Sequence, residues 1–181
     1  MDFWLSFGCT LSHQDLQKML YDIISDVFVL EVNTDEAKVW DVSDNECIRV
    51  GSTYFSINTV LEDEEYIERY QKEKFKMYGV NTNMFSSIEF ISRTFETGWP
   101  KFMEVVGKLL ECTDQDLIIE DGYGCPLLKR IQGDVFINSR LDEEEEWYVS
   151  SENLKILKYS TKKEILFLRT NLEEYMKCLK K

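Results

Sequence analysis

Residues 117 to 138 read LIIEDGYGCPLLKRIQGDVFIN, and this stretch decides the class of fold. Three short apolar runs, at 117–120, 127–131 and 135–138, are separated by the turn DGYGCP and by a tight Gln-Gly-Asp turn. Short apolar runs joined by glycine turns are typical of strands connected as hairpins. The sequence therefore predicts an antiparallel set of strands here.

Further strands are predicted on the N-terminal side of this stretch. Phe3, Leu5 and Phe7 alternate with other residues and indicate a first strand, which Gly8 ends. Other short runs are rich in β-branched and aromatic residues and are separated by Asn, Asp, Glu and Gly; they lie at 27–32, 38–42, 47–50, 53–60 and 86–95.

Helical patterns are interleaved with these strands. Ser12 precedes a predicted helix with apolar residues from Leu16 to Ile24. A second predicted helix, at 62–78, has acidic residues at its start and basic residues at its end before Gly79, as a surface helix does. Other predicted helices cover 99–110 with Pro100 in the first turn, 151–157, and a C-terminal apolar stripe from Ile165 to Leu179.

The order of these elements favours an α+β fold, because strands outnumber helices and there is no regular β-α-β alternation. We expect one domain over residues 1–181, with a mainly antiparallel sheet and helices packed on one face. Residues 142–181 are expected to form a C-terminal helical extension. A chain of 181 residues with 44% hydrophobic content can bury a core of this size.

The charge balance restricts the classes of partner. The chain has 21 Lys and Arg against 34 Asp and Glu, a formal net charge of −13, which repels the phosphates of nucleic acids and anionic membrane surfaces. Direct binding to nucleic acid or to a membrane is therefore not expected. The N-terminal MDFWLSFG lacks the basic region of a signal peptide, and no apolar run is long enough to span a bilayer.

The cysteines and the single histidine restrict the chemistry. Five cysteines, an odd number, are scattered without a C-x-x-C pair, which favours reduced thiols in the cytoplasm. With one histidine and no thiol cluster, neither a metal nor a cofactor is expected. His13 lies in the cap of a predicted helix, and a surface position is the ordinary expectation for it.

The turn at 121–126 does not supply a catalytic motif either. Cys125 is the only cysteine whose surroundings favour exposure, but no basic neighbour precedes it to lower its pKa. Gly122 and Gly124 lack the third glycine or the Lys-Ser/Thr of a phosphate-binding loop, and they fit a turn better. We expect no enzymatic activity.

The feature that points to function is LDEEEEWYV at 141–149, where five carboxylates directly precede two aromatic residues. Mutual repulsion makes this run costly to bury, so it faces water or a partner. The acidic cluster at 62–65 fits a helix N-terminus, whereas this second cluster is predicted to be a loop without such a role, and Trp147 is expected to be the least buried tryptophan. The candidate partner-binding residues are Asp142, Glu143, Glu144, Glu145, Glu146, Trp147 and Tyr148.

The order of elements over 86–138 resembles a known family. SIEFISRTF, GWPKFMEVVGKLLE, the D-x-D-L-I-I-E strand from Asp114, a glycine turn, LLKR and VFIN are similar to immunity proteins of bacterial polymorphic toxin systems, of the swarming-inhibition and contact-dependent types. The opening FWLSFGCTLSHQDLQKML is compatible with that pattern. This resemblance implies a cytoplasmic protein without catalytic residues that binds one cognate toxin domain and blocks it.

Composition agrees with such a role, because many of these toxins are basic nucleases and a chain of charge −13 would be steered toward a basic cleft. Two alternatives stay open. The same acidic surface suits an intracellular adaptor or regulatory protein with another basic partner. A carboxylate-dependent hydrolase ranks last, because abundant acids identify no particular pair.

Overall fold

A computed structural model describes residues 2–28 and 38–166, and over these residues one sheet contains nine strands. In chain order the strands are β1 (Asp2–Phe7), β2 (Trp40–Asp41), β3 (Cys47–Gly51), β4 (Phe55–Val60), β5 (Met84–Phe90), β6 (Leu117–Asp121), β7 (Pro126–Ile131), β8 (Asp134–Asn138) and β9 (Thr161–Glu164). The helices are α1 (His13–Phe28), α2 (Glu64–Tyr78), α3 (Phe95–Cys112), α4 (Glu143–Tyr148) and α5 (Ser151–Ile156), and a 3-10 turn covers Ser92–Thr94.

The strand order is β2-β3-β4-β5-β1-β6-β7-β8-β9, with β1 in the centre of the sheet. Every neighbouring pair is antiparallel except β8 and β9, which are parallel. The prediction of an α+β fold with a mainly antiparallel sheet is confirmed. So are the two hairpins over 117–138, since β6, β7 and β8 pair in succession.

The main core lies between one face of the sheet and helices α1 and α3. On β1, the alternating residues Phe3, Leu5 and Phe7 are buried, as period-2 patterning predicts. They pack with Leu20 and other apolar residues of α1 and with Phe102 of α3 in one continuous cluster. Helices α4 and α5 add Tyr148 and Ile156 to the edge of this core, so four helices share the face.

Helix α2 forms a layer on the opposite face, which the prediction of helices on one face did not include. Tyr70 meets Phe85 of β5 with ring centroids 3.8 Å apart. Lys74, which is buried although charged, pairs with the buried carboxylate of Glu120 on β6. Tyr78 completes the contact by packing on Ile118. Lys74 and Tyr78 are the buried residues of α2, so most of its length is at least partly exposed and its sequence resembles that of a surface helix.

Two predicted strands are corrected by the structure. Val27 and Phe28 of the predicted strand 27–32 end helix α1, while the rest of it lies outside the described residues. The predicted strand 86–95 ends at Phe90, and Phe95 already begins α3, which places Pro100 in the second turn and not the first. Phe95 joins the helix because its ring stacks on Phe3, 5.9 Å between centroids, a long-range contact that local patterning does not show.

The C-terminal extension is also corrected in part. Residues 142–181 were expected to be helical, and α4 and α5 are, but 161–164 form strand β9 beside β8. This strand is joined to the sheet by the bond from Ser139 N to Glu164 O (2.8 Å) and by the ion pair of Lys162 with Asp134 (2.7 Å). Ile165 and Leu166, at the start of the predicted helical stripe from Ile165 to Leu179, are not in a helix, and residues 167–181 lie outside the described residues.

Over residues 2–28 and 38–166, none of the helices combines the length and the apolar character that a bilayer crossing requires.

Candidate protein-binding surface

The acidic run at 142–146 starts helix α4, so the prediction of a loop there is wrong. Asp142 is the N-cap: its side chain accepts a hydrogen bond from Glu145 N (2.8 Å), and the Glu145 carboxylate accepts one from Asp142 N (3.1 Å). This reciprocal capping box satisfies two main-chain donors at the helix start, where the partial positive charge of the helix also favours acids. The second acidic cluster therefore has the same structural role as the first.

Three of the predicted acidic side chains, those of Asp142, Glu143 and Glu146, are exposed, and Glu145 is half-buried. Only the backbone of Glu144 is described. Trp147 is 39% exposed, but Trp4 is 44% exposed, so Trp147 is not the least buried tryptophan as predicted. The site on α4 consists of exposed carboxylates next to a partly exposed indole ring.

The C-terminal half of α4 is anchored in the aromatic core. The ring of Tyr148 lies 5.1 Å from Phe3 and 5.0 Å from Trp99, and the indole N–H of Trp99 donates to the carbonyl of Tyr148 (2.8 Å). Asn153 of α5 donates to the carbonyl of Trp147 (2.8 Å), whose ring lies 5.8 Å from Phe95. Tyr148 thus helps to hold the helix in place, while Asp142, Glu143 and Glu146 are exposed and Trp147 is partly exposed.

The β6–β7 turn comes close enough to the start of α4 for the charge of Glu145 to affect Cys125, which the sequence does not indicate. One carboxylate oxygen of Asp121 accepts from both Tyr123 N (2.9 Å) and Cys125 N (2.7 Å), and Gly124 adopts a positive φ of 82°. This tight turn leaves the Tyr123 side chain 100% exposed. The sequence signal was the Asp-Gly-x-Gly pattern, which indicates a turn but not the element that it contacts.

The contact between this turn and α4 concentrates negative charge. Burial raises the pKa of the Cys125 thiol, and the nearby carboxylates of Glu145 and Asp121 raise it further. Burial likewise raises the pKa of Glu145, and the charges of Asp142 and Asp121 add to the effect. Carboxylates from two distant parts of the chain therefore meet at the start of α4.

The cysteines differ from expectation in one respect. Cys125 is half-buried, whereas Cys112 at the end of α3 is exposed, so the prediction that Cys125 is the one cysteine placed for exposure is wrong. The raised pKa of Cys125 keeps its thiol protonated at neutral pH, where it is a weak nucleophile. His13 is exposed at the start of α1, as expected.

A cavity of about 540 Å³ lies at the other end of β1 from α4. Cys9, Gln115 and Arg130 are part of its lining. Arg130 is buried, and its guanidinium donates to the carbonyls of Leu110 (2.8 Å) and Gln115 (2.8 Å) near the end of α3. This arginine has the structural role of satisfying main-chain acceptors next to a helix end.

Comparison of the chain with family models, curated proteins and solved structures found no match. Within the described part of the chain, no three His, Cys, Asp or Glu side chains gather in an arrangement suited to a metal ion. The arrangement that the structure does build is an acidic, aromatic-bearing protein surface around α4.

Proposed function

We propose that this protein is a cytoplasmic immunity protein that binds a cognate toxin domain, a basic nuclease, and neutralises it through the acidic surface of α4. The observation that carries the proposal is the position of Asp142, Glu143 and Glu146, which are exposed beside the partly exposed ring of Trp147. Carboxylates in this arrangement can occupy the places that nucleic-acid phosphates take in a basic cleft.

Electrostatics supports a basic partner. The net charge of −13 attracts a cationic domain at long range, and the exposed carboxylates of α4 direct that attraction to one place. Complementary charge mainly raises the association rate and excludes wrong partners. Trp147 supplies apolar area that can be buried at the centre of an interface, where tryptophan is common among the residues that contribute most to affinity.

The rigidity of α4 supports a binding role as well. The capping box fixes its first turn, and the bonds from Trp99 to Tyr148 and from Asn153 to Trp147 fix its end. A surface that is already ordered loses less conformational entropy when a partner binds, so more of the contact energy appears as affinity.

The proposal is tested with the toxin domain encoded beside this gene. The two proteins should co-purify, and expression of this protein should restore growth to cells that produce the toxin. If every neighbouring toxin candidate fails to bind and another basic protein binds instead, the intracellular adaptor or regulatory function is favoured and the immunity function is rejected.

The role of α4 is tested by charge reversal with a matched control. Glu143→Lys/Glu146→Lys alters the first turns of α4, while Glu64→Lys/Glu65→Lys alters the first turn of α2, where both residues are also exposed. The two variants change the net charge equally. We expect the α4 variant to associate about tenfold more slowly and with weaker salt dependence, and the α2 variant to change much less. Equal effects would assign the attraction to net charge alone.

A further inference from the structure

The fully exposed side chain of Tyr123 does not stabilise the fold through burial. The turn that carries it is well defined: Asp121 accepts two main-chain N–H groups, and a Cβ on Gly122 would lie 2.9 Å from the carbonyl oxygen of Asp2. Tyr78 donates from the other face of the sheet to the carbonyl of Gly124 (3.4 Å). The turn thus holds a large amphipathic side chain wholly in solvent, where it buries no area on folding.

This turn connects α4 with the second face of the sheet. On one side Phe3, which pairs with Asp121 across the strands, packs against Tyr148 of α4 with ring centroids 5.1 Å apart. On the other side Gly122 packs on Asp2, which is exposed at the start of β1. Asp2 pairs across the strands with Glu89 of β5, which is also exposed. Carboxylates therefore continue from α4 past the turn.

Trp4 lies next to these residues on the sheet face that α2 covers in part. The strand register places Trp4 opposite Ser87 on β5 and opposite Glu120 on β6. Residues directly opposite each other share a face, so Trp4 lies on the same face as Glu120, the partner of Lys74 on α2. The indole of Trp4 is 44% exposed. We refer to Asp2, Trp4, Glu89 and Tyr123 together as the rim patch.

We propose that the rim patch is a second part of the partner-binding surface, with Tyr123 and Trp4 as aromatic anchors for the same basic protein domain that binds α4. This inference rests on the proposed function. The charge of the patch favours a basic partner, because its exposed charged residues, Asp2 and Glu89, are both acidic. Aromatic residues bordered by carboxylates suit a protein surface that presents Lys and Arg, since these side chains pair with acids and also lie over aromatic rings.

The test measures dissociation of the purified complex with the toxin domain encoded beside the gene. Tyr123→Ala is the main variant, because a fully exposed side chain can be removed without changing the core. We expect dissociation about tenfold faster for Tyr123→Ala, and a similar change for Trp4→Ala. Tyr123→Phe keeps the ring and should dissociate nearly as slowly as the unaltered protein.

A matched control comes from Phe75, an aromatic residue of α2 that is 62% exposed and lies outside the rim patch. Phe75→Ala should leave dissociation unchanged, and thermal melting of each variant checks the fold. If the unaltered protein binds and the α4 charge reversal slows association, but Tyr123→Ala dissociates at the normal rate, the rim patch is rejected while the proposed function stands. If the unaltered protein binds no toxin candidate, the proposed function and this extension of it both fail.

Discussion

The indole N–H of Trp99 donates a 2.8 Å hydrogen bond to the main-chain carbonyl of Tyr148, which lies 49 positions further along the chain. Trp99 is buried on α3, and the Tyr148 ring lies 5.0 Å from its ring. This one relationship joins the acidic helix α4 to the core, so the position of the exposed carboxylates depends on core packing.

Replacement of Trp99 by phenylalanine should lower the free energy of unfolding by about 2–4 kcal/mol. The change leaves a space in the core and removes the donor for the Tyr148 carbonyl. Urea denaturation measures the loss. Trp4→Phe is the control, because Trp4 is 44% exposed and its replacement should cost less than about 1 kcal/mol. Equal midpoints for the two variants would contradict the anchoring role of Trp99.

Asp142→Ala should destabilise the protein by about 1 kcal/mol, because it removes the N-cap acceptor for Glu145 N. Asp142→Asn keeps an acceptor oxygen while it removes the charge, so it should retain most of the stability. Comparison of the two variants by urea denaturation separates capping from charge. A loss for Asp142→Asn as large as that for Asp142→Ala would show that the carboxylate charge, and not the cap, is what matters.

Glu145 should make stability depend on pH. Its pKa is raised in the folded protein, chiefly by burial, so its ionisation disfavours the folded state. Its contribution to stability is fully present below the ordinary glutamate pKa of about 4.3 and is lost as the pH rises through the folded pKa. Glu145→Gln should therefore gain stability relative to the unaltered protein between about pH 4 and pH 7, by less than about 1 kcal/mol because the group is partly solvated.

Urea denaturation at several pH values measures this difference. Glu143→Gln removes an exposed carboxylate from the same helix and provides the background effect of losing one charge. A relative gain for Glu145→Gln that shrinks as the pH rises would have the wrong sign and would reject the argument.

Lys74 and Glu120 form a buried ion pair, and removal of one charge should destabilise the protein more than removal of both. Lys74→Met leaves the Glu120 carboxylate buried without its cation and should cost about 3–5 kcal/mol. The double variant Lys74→Met/Glu120→Leu removes both charges and should recover most of that loss. The free energies of unfolding of the two variants test this expectation. A double variant as unstable as Lys74→Met would contradict it.

Local signals in the sequence predicted much of the architecture. The glycine turns around 121–126 and 132–134 indicated the hairpins of β6, β7 and β8, and the acidic start and Gly79 end of α2 marked its bounds to within two residues. These features depend on interactions between residues close in the chain, which is why they can be recognised in the sequence. The immunity function, the cytoplasmic location and the lack of enzymatic activity stay predictions.

The acidic run and its aromatic neighbours were recognised from the sequence, but their structural setting was not. Nothing local distinguishes a solvated acidic loop from a short capped helix, and nothing near Tyr148 in the chain shows that Trp99 binds its carbonyl. The sequence indicates a turn at Tyr123, but not that its side chain is fully exposed.

The sequence by itself determined the class of fold, the hairpins, the strongly negative charge and the place in the chain where carboxylates meet aromatic residues. Tertiary structure alone decided that Phe95 begins a helix, that 161–164 add a parallel strand, and that α2 covers the second face through Lys74 and Glu120, 46 positions apart. The physical reason is that propensity and turn chemistry act over a few residues, whereas burial and pairing energies depend on residues that only folding brings together.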